Sequence, residues 1–232
     1  GYPNLDDTRR QILDLAASGA DLIEIGMPFS DPLADGKTIQ AAAHRALQNG
    51  MSLRLLFEQL EGIRQETNIP LVLMGYLNPV LQFGMENFCR RCREVGVDGL
   101  ILPDLPVQEF EEKYAPMFEA TGLSAIFLVT PQTSDERVRQ LDEASSGFLY
   151  AVSSAATTGG AGGIQAWQEA YFQRLANLNL KNPVLVGFGI SDREAFETVC
   201  SHVNGAVVGS AFLRAIEQSQ TPAEFIAGFG RA

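Results

Sequence analysis

The sequence predicts an α/β fold in which buried parallel strands alternate with helices, and it favours a barrel over an open sheet. Short apolar runs recur along the 232 residues, and helical patterns lie between them. The runs are continuous rather than alternating, which is typical of parallel strands covered on both faces. A helix–Gly–Asp–strand phrase at residues 18–21 returns at 95–98, as in a regular repeat. The barrel is favoured over a doubly wound sheet because the unusual residues follow the strands, where barrels build their sites.

These runs predict seven strands, each followed by a helix. The strands are Leu22–Gly26, Leu71–Met74, Gly99–Leu102, Ala125–Val129, Phe148–Val152, Val184–Val186 and Ala206–Val208. The first helix begins with acidic residues, which helix N-termini favour, and ends before Ser18-Gly19. The helices are Asp6–Ala17, one from about Thr38, Leu53–Gln65, Met85–Glu94, Glu109–Ala120, Ser134–Ala144, Ala166–Ala176, Asp192–Val199, Ala211–Glu217 and Pro222–Phe229. Composition does not change along the chain, so we expect one domain over residues 1–232.

The composition excludes several classes of partner. The formal charge is −11, which argues against nucleic acid and anionic membranes as main partners. No apolar run approaches the ~18 residues that a membrane span needs. The chain has three cysteines, too few for a disulfide framework, and we expect a reducing, cytoplasmic environment.

Scarce lysines and histidines limit the possible chemistry. None of the three lysines (Lys37, Lys113 and Lys181) lies in a predicted strand, where a Schiff-base aldolase holds its amine. The two histidines, His44 and His202, fall in or beside helices, so a histidine-rich metal site is not expected. Cys89 and Cys92 form a Cys-x-x-Cys inside a helix, interpreted as two thiols on different sides of that helix.

Two carboxylates stand out instead. Glu24 interrupts the first apolar run, where an ionised group is costly unless it is paired or functional. Burial would raise its pKa and suit it to acid–base catalysis, although it could equally tie down a loop. Asp35 ends the long loop after that strand and could pair with Glu24 across the barrel mouth. Before Gly36 it could also be a turn residue or a helix cap.

Glycine clusters after the last three predicted strands indicate a phosphate site. They are residues 158–160, 187–191 and 209–210. Glycine lets backbone N–H groups approach an anion, and Gly209-Ser210 also opens a helix whose N-terminus favours negative charge. Barrels build phosphate sites from these last loops.

The segment from Asp21 to Gly36, DLIEIGMPFSDPLADG, resembles the signature of the tryptophan synthase α subunit family. Supporting matches are LMGYLNP at 73–79, LPDLP at 102–106, GFGIS at 187–191 and Gly209-Ser210, so the resemblance covers nearly the whole chain. It implies a TIM (β/α)8 barrel that cleaves indole-3-glycerol phosphate to indole and glyceraldehyde 3-phosphate. It also implies retro-aldol chemistry without metal or Schiff base.

The resemblance also implies residue roles. The catalytic carboxylates fall on Glu24 and Asp35. Substrate-binding roles fall on Tyr76, Phe148, Tyr150, Thr158 and Phe188, and phosphate-binding roles on Gly159, Gly189, Gly209 and Ser210. No cofactor is expected on this chain, and pyridoxal phosphate is expected only on a β-subunit partner, in an α2β2 assembly that receives the indole. The turns at Asp31-Pro32, Asn78-Pro79 and Asp104–Pro106 are the expected partner surface.

Three alternatives stay open. The first is a stand-alone indole-glycerol phosphate lyase, the second is another phosphate-binding barrel such as an isomerase or epimerase, and the third is a degenerate chain that only activates a β subunit. Residues 1–4 match the loop after strand one of the family, so strand one and the helix before it are expected to be missing from this sequence. We therefore expect a longer native chain.

Overall fold

The strands form two parallel sheets in a computed structural model that describes residues 1–153, 163–187 and 189–230. One sheet has the order β1-β2-β3-β4 and the other β5-β6-β7-β8, so that each strand pairs with its sequence neighbour. The strands are β1 (Ile23–Gly26), β2 (Leu71–Met74), β3 (Gly99–Ile101), β4 (Ser124–Ile126), β5 (Leu128–Val129), β6 (Leu149–Val152), β7 (Val184–Gly187) and β8 (Gly205–Val207). Every predicted strand is confirmed, and Ala125–Val129 is divided at Phe127. Among the described residues, β1 and β4 are the edge strands of the first sheet, and β5 and β8 are those of the second.

The helices follow the strands with few departures from the prediction. They are α1 (Asp7–Ala17), α2 (Lys37–Gln48), α3 (Leu53–Leu60), α4 (Leu77–Phe83), α5 (Met85–Val95), α6 (Val107–Glu109), α7 (Ala115–Thr121), α8 (Asp135–Ala144), α9 (Ala166–Asn177), α10 (Arg193–Cys200), α11 (Ser210–Glu217) and α12 (Pro222–Ala227). Ser52, Ser134, Asp192 and Thr221 cap four of them, each accepting a hydrogen bond from a backbone N–H. Within the described segments, no helix combines the length and apolar character needed to cross a membrane.

Three predicted helical features are wrong in detail. The helix Leu53–Gln65 breaks at Gly62, which takes a positive φ of 70° and separates α3 from a short 3-10 turn. The stretch Glu109–Ala120 is divided among α6, a π turn at Phe110–Tyr114 and α7. Cys89 and Cys92 do not face different sides of α5, because residues three apart are neighbours on a helix, and both are fully buried.

The sheets have a second, smaller apolar cluster on their inner face. Its buried members are Val72, Ile101, Ile126, Phe148 and Tyr150. Successive strand residues alternate between faces, so Leu71 and Leu73 instead join the larger cluster between strands and helices. Glu24 is the register partner of Val72 and therefore belongs to the inner face. The alternation thus directs the Glu24 carboxyl to the barrel interior.

Candidate active site

Glu24 places a buried carboxyl group inside the barrel. Its Oε2 is buried, and no hydrogen-bond partner for it lies among the described residues. Burial raises the pKa of Glu24 to about 7, with a further contribution from the negative charge of Asp35. Both protonation states are therefore accessible near neutral pH, which is the condition for a general acid–base. Among the described residues, Oε2 makes no hydrogen bond that would tie Glu24 to a loop.

Asp35 lies at the end of the loop after β1 and is held by hydrogen bonds. Its Oδ2 accepts a hydrogen bond of 2.9 Å from the Tyr76 hydroxyl, which in turn accepts one of 2.9 Å from the Ala34 N–H. Tyr76 stacks on Phe29 with ring centroids 4.9 Å apart. Burial raises the pKa of Asp35, and the Tyr76 hydrogen bond partly opposes this shift. Asp35 is thus a fixed, half-buried acceptor at the mouth.

Tyr150 and Phe148 line the interior beside the two acids. Tyr150 is 3 % exposed and Phe148 4 % exposed, with ring centroids 6.2 Å apart. Burial raises the pKa of Tyr150 well above its usual value, and the charges of Glu24 and Asp35 raise it further. A Cβ at Gly187 would lie 2.0 Å from the Tyr150 hydroxyl oxygen. Gly187, which the sequence placed in a phosphate cluster, therefore makes room for this tyrosine.

The remaining glycines lie at the ends of the last two strands. Gly189 follows β7 with a positive φ of 80°, a conformation that favours glycine. Gly209 follows β8, and Ser210 is the first residue of α11, which has eight residues. Neighbouring strands thus place both loops at one end of the barrel, as phosphate binding would require. Thr158, Gly159 and Phe188 lie outside the described residues.

Sequence reasoning missed two side chains behind the Asp35 loop. Gln40 Nε2 donates a hydrogen bond of 2.9 Å to the Asp35 carbonyl oxygen. His44 was interpreted as a surface residue, and it is exposed, yet its Nε2 lies 3.0 Å from the Ser30 carbonyl oxygen. Their spacing of four residues places both on one face of α2. That spacing, directly after a long loop, is the signal that could have indicated them.

The turns expected to contact a partner need two corrections. Asn78 and Pro79 lie in the first turn of helix α4 rather than in a loop turn, because proline is tolerated there, and Asn78 is exposed. Pro32 is buried, whereas Leu33 beside it is 83 % exposed. Asp104 is exposed, as expected, and both its carboxylate oxygens accept hydrogen bonds from the Leu77 N–H, at 2.8 and 3.1 Å.

A cavity of about 350 Å³ lies next to this surface. It is lined by residues 102–107, which follow β3, and by Phe127, Thr133 and Arg137 among others. Leu33, on the loop after β1, and Leu81, in α4 after β2, are exposed apolar side chains, and β1 and β2 are neighbouring strands.

Comparisons with known proteins show the family to which this chain is similar. A family model described as tryptophan synthase alpha chain matches residues 1–227. The tryptophan synthase alpha chain of Flavobacterium johnsoniae is 56 % identical over 219 residues, covering 94 % of this chain and 87 % of that protein. A mutant tryptophan synthase α subunit of Pyrococcus furiosus has a TM-score of 0.86 at 37 % identity, covering 97 % of this chain and 91 % of that one.

A chain of the tryptophan synthase α2β2 complex of Pyrococcus furiosus matches with a TM-score of 0.85 at 36 % identity, covering 98 % of this chain and 93 % of that one. These likenesses confirm the predicted TIM-barrel fold. This chain therefore belongs to the tryptophan synthase alpha chain family.

Proposed function

We propose that this chain is the α subunit of a tryptophan synthase and cleaves indole-3-glycerol phosphate to indole and glyceraldehyde 3-phosphate. One observation carries the assignment: a buried carboxyl oxygen of Glu24, with no hydrogen-bond partner among the described residues, lies in the barrel interior, where the charge of Asp35 helps to raise the pKa of Glu24. Family membership supports the class of reaction, and the positions of Glu24 and Asp35 support their assignment as its catalytic acids.

The cleavage needs one proton delivered and one removed. Glu24 donates a proton to C3 of the indole ring, which becomes an electron-accepting indoleninium. The bond between C3 and the glycerol C3′ then breaks, and its electron pair restores the aromatic ring as indole. The C3′ hydroxyl loses its proton to the Glu24 carboxylate, leaving the aldehyde. Protons and electrons balance within the substrate and a single carboxyl with a pKa of about 7.

Asp35 stabilises the charge that this step creates. Tyr76 occupies Oδ2 of Asp35, and we assign the other oxygen to the indole N–H, where positive charge develops. Phe148 and Tyr150 line the pocket around the ring. Thr158 and Phe188, outside the described residues, keep the substrate-binding roles that the family resemblance implies. The backbone at Gly159, Gly189, Gly209 and Ser210 binds the phosphate, supported here by the positive φ of Gly189 and by the helix that starts at Ser210.

We further propose that the reaction uses no metal ion, no Schiff base and no cofactor on this chain. Two of the three lysines pair with surface carboxylates, Lys113 with Glu109 and Lys181 with Glu143. Lys37 begins α2 and is exposed. Pyridoxal phosphate belongs to the β subunit in this proposal. Residues 1–232 act as one domain, in the cytoplasm.

The β subunit is proposed to cover the carboxyl ends of the first strands. Leu33 is 83 % and Leu81 46 % exposed, so a partner that covered them would bury apolar surface. The cavity bordered by Asp104 and Pro106 continues this surface and offers a recess for a partner side chain. Proximity to the Asp35 loop would let partner binding influence the chemistry.

The test measures glyceraldehyde 3-phosphate release from indole-glycerol phosphate, with and without a β subunit. We expect release that the β subunit stimulates, and a fall in kcat of at least ~10²-fold for Glu24→Gln and for Asp35→Asn. Glu58→Gln on the exposed face of α3 is the matched control and should retain wild-type activity. Unchanged release by both variants would refute the assignment. Strong activity that the β subunit does not alter would favour the stand-alone lyase instead.

A further inference from the structure

We propose that Gln40 is a positioning residue, which acts on the reaction by fixing the backbone that carries Asp35. The inference rests on the proposed function, since it concerns the same cleavage. Residues 27–36, between β1 and α2, contain no regular secondary structure. Two local hydrogen bonds support the loop from within, Leu33 N–H to Asp31 O at 2.8 Å and Asp35 N–H to Pro32 O at 3.0 Å. The Asp35 carbonyl oxygen also accepts a hydrogen bond from a residue outside the loop.

Gln40 supplies that support from the first turns of α2. Its Nε2 donates to the Asp35 carbonyl oxygen at 2.9 Å and also lies 3.4 Å from the Pro32 carbonyl oxygen. One amide group thereby reaches two carbonyls of the same turn. The Gln40 N–H donates to the Gly36 carbonyl at 3.0 Å, so the helix itself sets where the side chain starts.

Gln40 and Tyr76 restrain different parts of Asp35. Tyr76 contacts the carboxylate through Oδ2 and so restricts its rotation. Gln40 contacts the main chain of the same residue and so restricts its position. Because Gln40 does not contact the carboxylate, its influence on the indole N–H contact is geometric rather than electrostatic.

The helix that carries Gln40 is also seated at the phosphate end of the barrel. α2 packs against α11, and Ile39 Cδ1 lies 3.6 Å from the place where a Cβ on Gly209 would stand. The residue beside Gln40 therefore borders the proposed phosphate loop. A substrate held there by its phosphate would keep its place when the Asp35 loop shifts, whereas its indole N–H would lose alignment with Asp35. Removing the Gln40 donor should thus reduce kcat more than it alters KM.

The experiment compares Gln40→Met with Gln48→Met, both assayed as complexes with the β subunit. Methionine keeps the length of glutamine and removes its donor, and Gln48 is the exposed last residue of the same helix. We expect Gln40→Met to lower kcat by about tenfold or more, because small misplacements of catalytic groups cost up to ~10²-fold. KM should stay within about twofold, and Gln48→Met should match the wild type in both constants.

Thermal unfolding separates positioning from loss of structure. Gln40→Met and Gln48→Met should unfold at closely similar temperatures if Gln40 acts through Asp35. An unchanged kcat in Gln40→Met would overturn the inference, as would a parallel change in kcat, KM and unfolding temperature. Should Gln40→Met fail to fold, Gln40→Asn, which keeps the amide but shortens its reach, decides by the same comparison. Failure of the wild-type complex to release glyceraldehyde 3-phosphate would instead contradict the proposed function.

Discussion

At the scale of single residues, Glu24 shows how a strand turns an ordinary carboxyl into a catalytic candidate. The alternation of β1 places the side chain on the inner face, in register with Val72. Burial then raises its pKa to about 7, chiefly because desolvation disfavours the ionised form. Ionisation of Glu24 in the folded protein therefore lowers the free energy of unfolding.

Glu24 should therefore make the free energy of unfolding depend on pH. Its pKa is higher in the folded protein than in the unfolded chain, so its contribution to stability is greatest below the unfolded value of 4.5 and is lost as pH rises through about 7. Compared with Glu24→Gln, the wild type should lose roughly 3 kcal/mol of unfolding free energy between pH 4 and pH 8. Urea titrations of both proteins across this range provide the measurement. If the unfolding free energies of the two proteins changed in parallel with pH, the pKa of Glu24 would not be raised by folding.

Two glycines of the 187–191 cluster have different roles in the fold. In the sequence, Gly187 and Gly189 belong to one cluster with one apparent purpose. In three dimensions they differ, because Gly187 accommodates the Tyr150 hydroxyl whereas Gly189 takes a positive φ. Sequence spacing cannot distinguish the two uses, since both require only the absence of a side chain.

At the scale of elements, α4 was not predicted as a helix. Asn78-Pro79 is a typical turn signal, yet proline in the first helical turn loses no internal hydrogen bond. Asp104, from the loop after β3, accepts hydrogen bonds from the Leu77 N–H at the start of this helix. A carboxylate at the N-terminus of this helix is also stabilised by the positive end of the helix dipole. A residue 27 positions away thus supports the helix, and no local pattern contains that information.

Asp104→Ala should therefore weaken α4 and the loop that it anchors. We expect a loss of about 1 kcal/mol in unfolding free energy, as for removal of a helix cap. Glu119→Ala, at an exposed position on α7, is the control and should be nearly neutral. Denaturant unfolding of the two variants measures the difference. Equal stabilities would indicate that water replaces the Asp104 hydrogen bonds without cost.

At the scale of the whole molecule, exposed apolar side chains favour the carboxyl ends of the first strands as the partner surface. Leu33 is 83 % exposed although its neighbour Pro32 is buried. Such an exposed apolar side chain gains free energy when a partner covers it. Its place in the loop that carries Asp35 links partner binding to the catalytic end.

Leu33→Glu should weaken binding to the β subunit by at least about tenfold without altering the fold. Burying a new charge at an interface costs more than the apolar contact that it replaces. Ala176→Glu, exposed near the C-terminus of α9, adds the same charge at the opposite end of the barrel and is the matched control. Titration calorimetry with the β subunit measures both affinities, and circular dichroism checks the fold. Equal affinities would exclude Leu33 from the interface.

The sequence by itself determined the strand pattern, the family and the pair of candidate acids, because apolar periodicity and the segment DLIEIGMPFSDPLADG are local properties of the chain. Tertiary structure decided how those acids are held. The Tyr76 hydrogen bond to Asp35 joins residues 41 positions apart, and the burial of Glu24 Oε2 depends on what surrounds it in the interior. Gln40 lies only five residues from Asp35, yet its contact exists because α2 turns back over the loop. Hydrogen bonds and desolvation act over a few ångströms in space, and only the folded chain sets those distances.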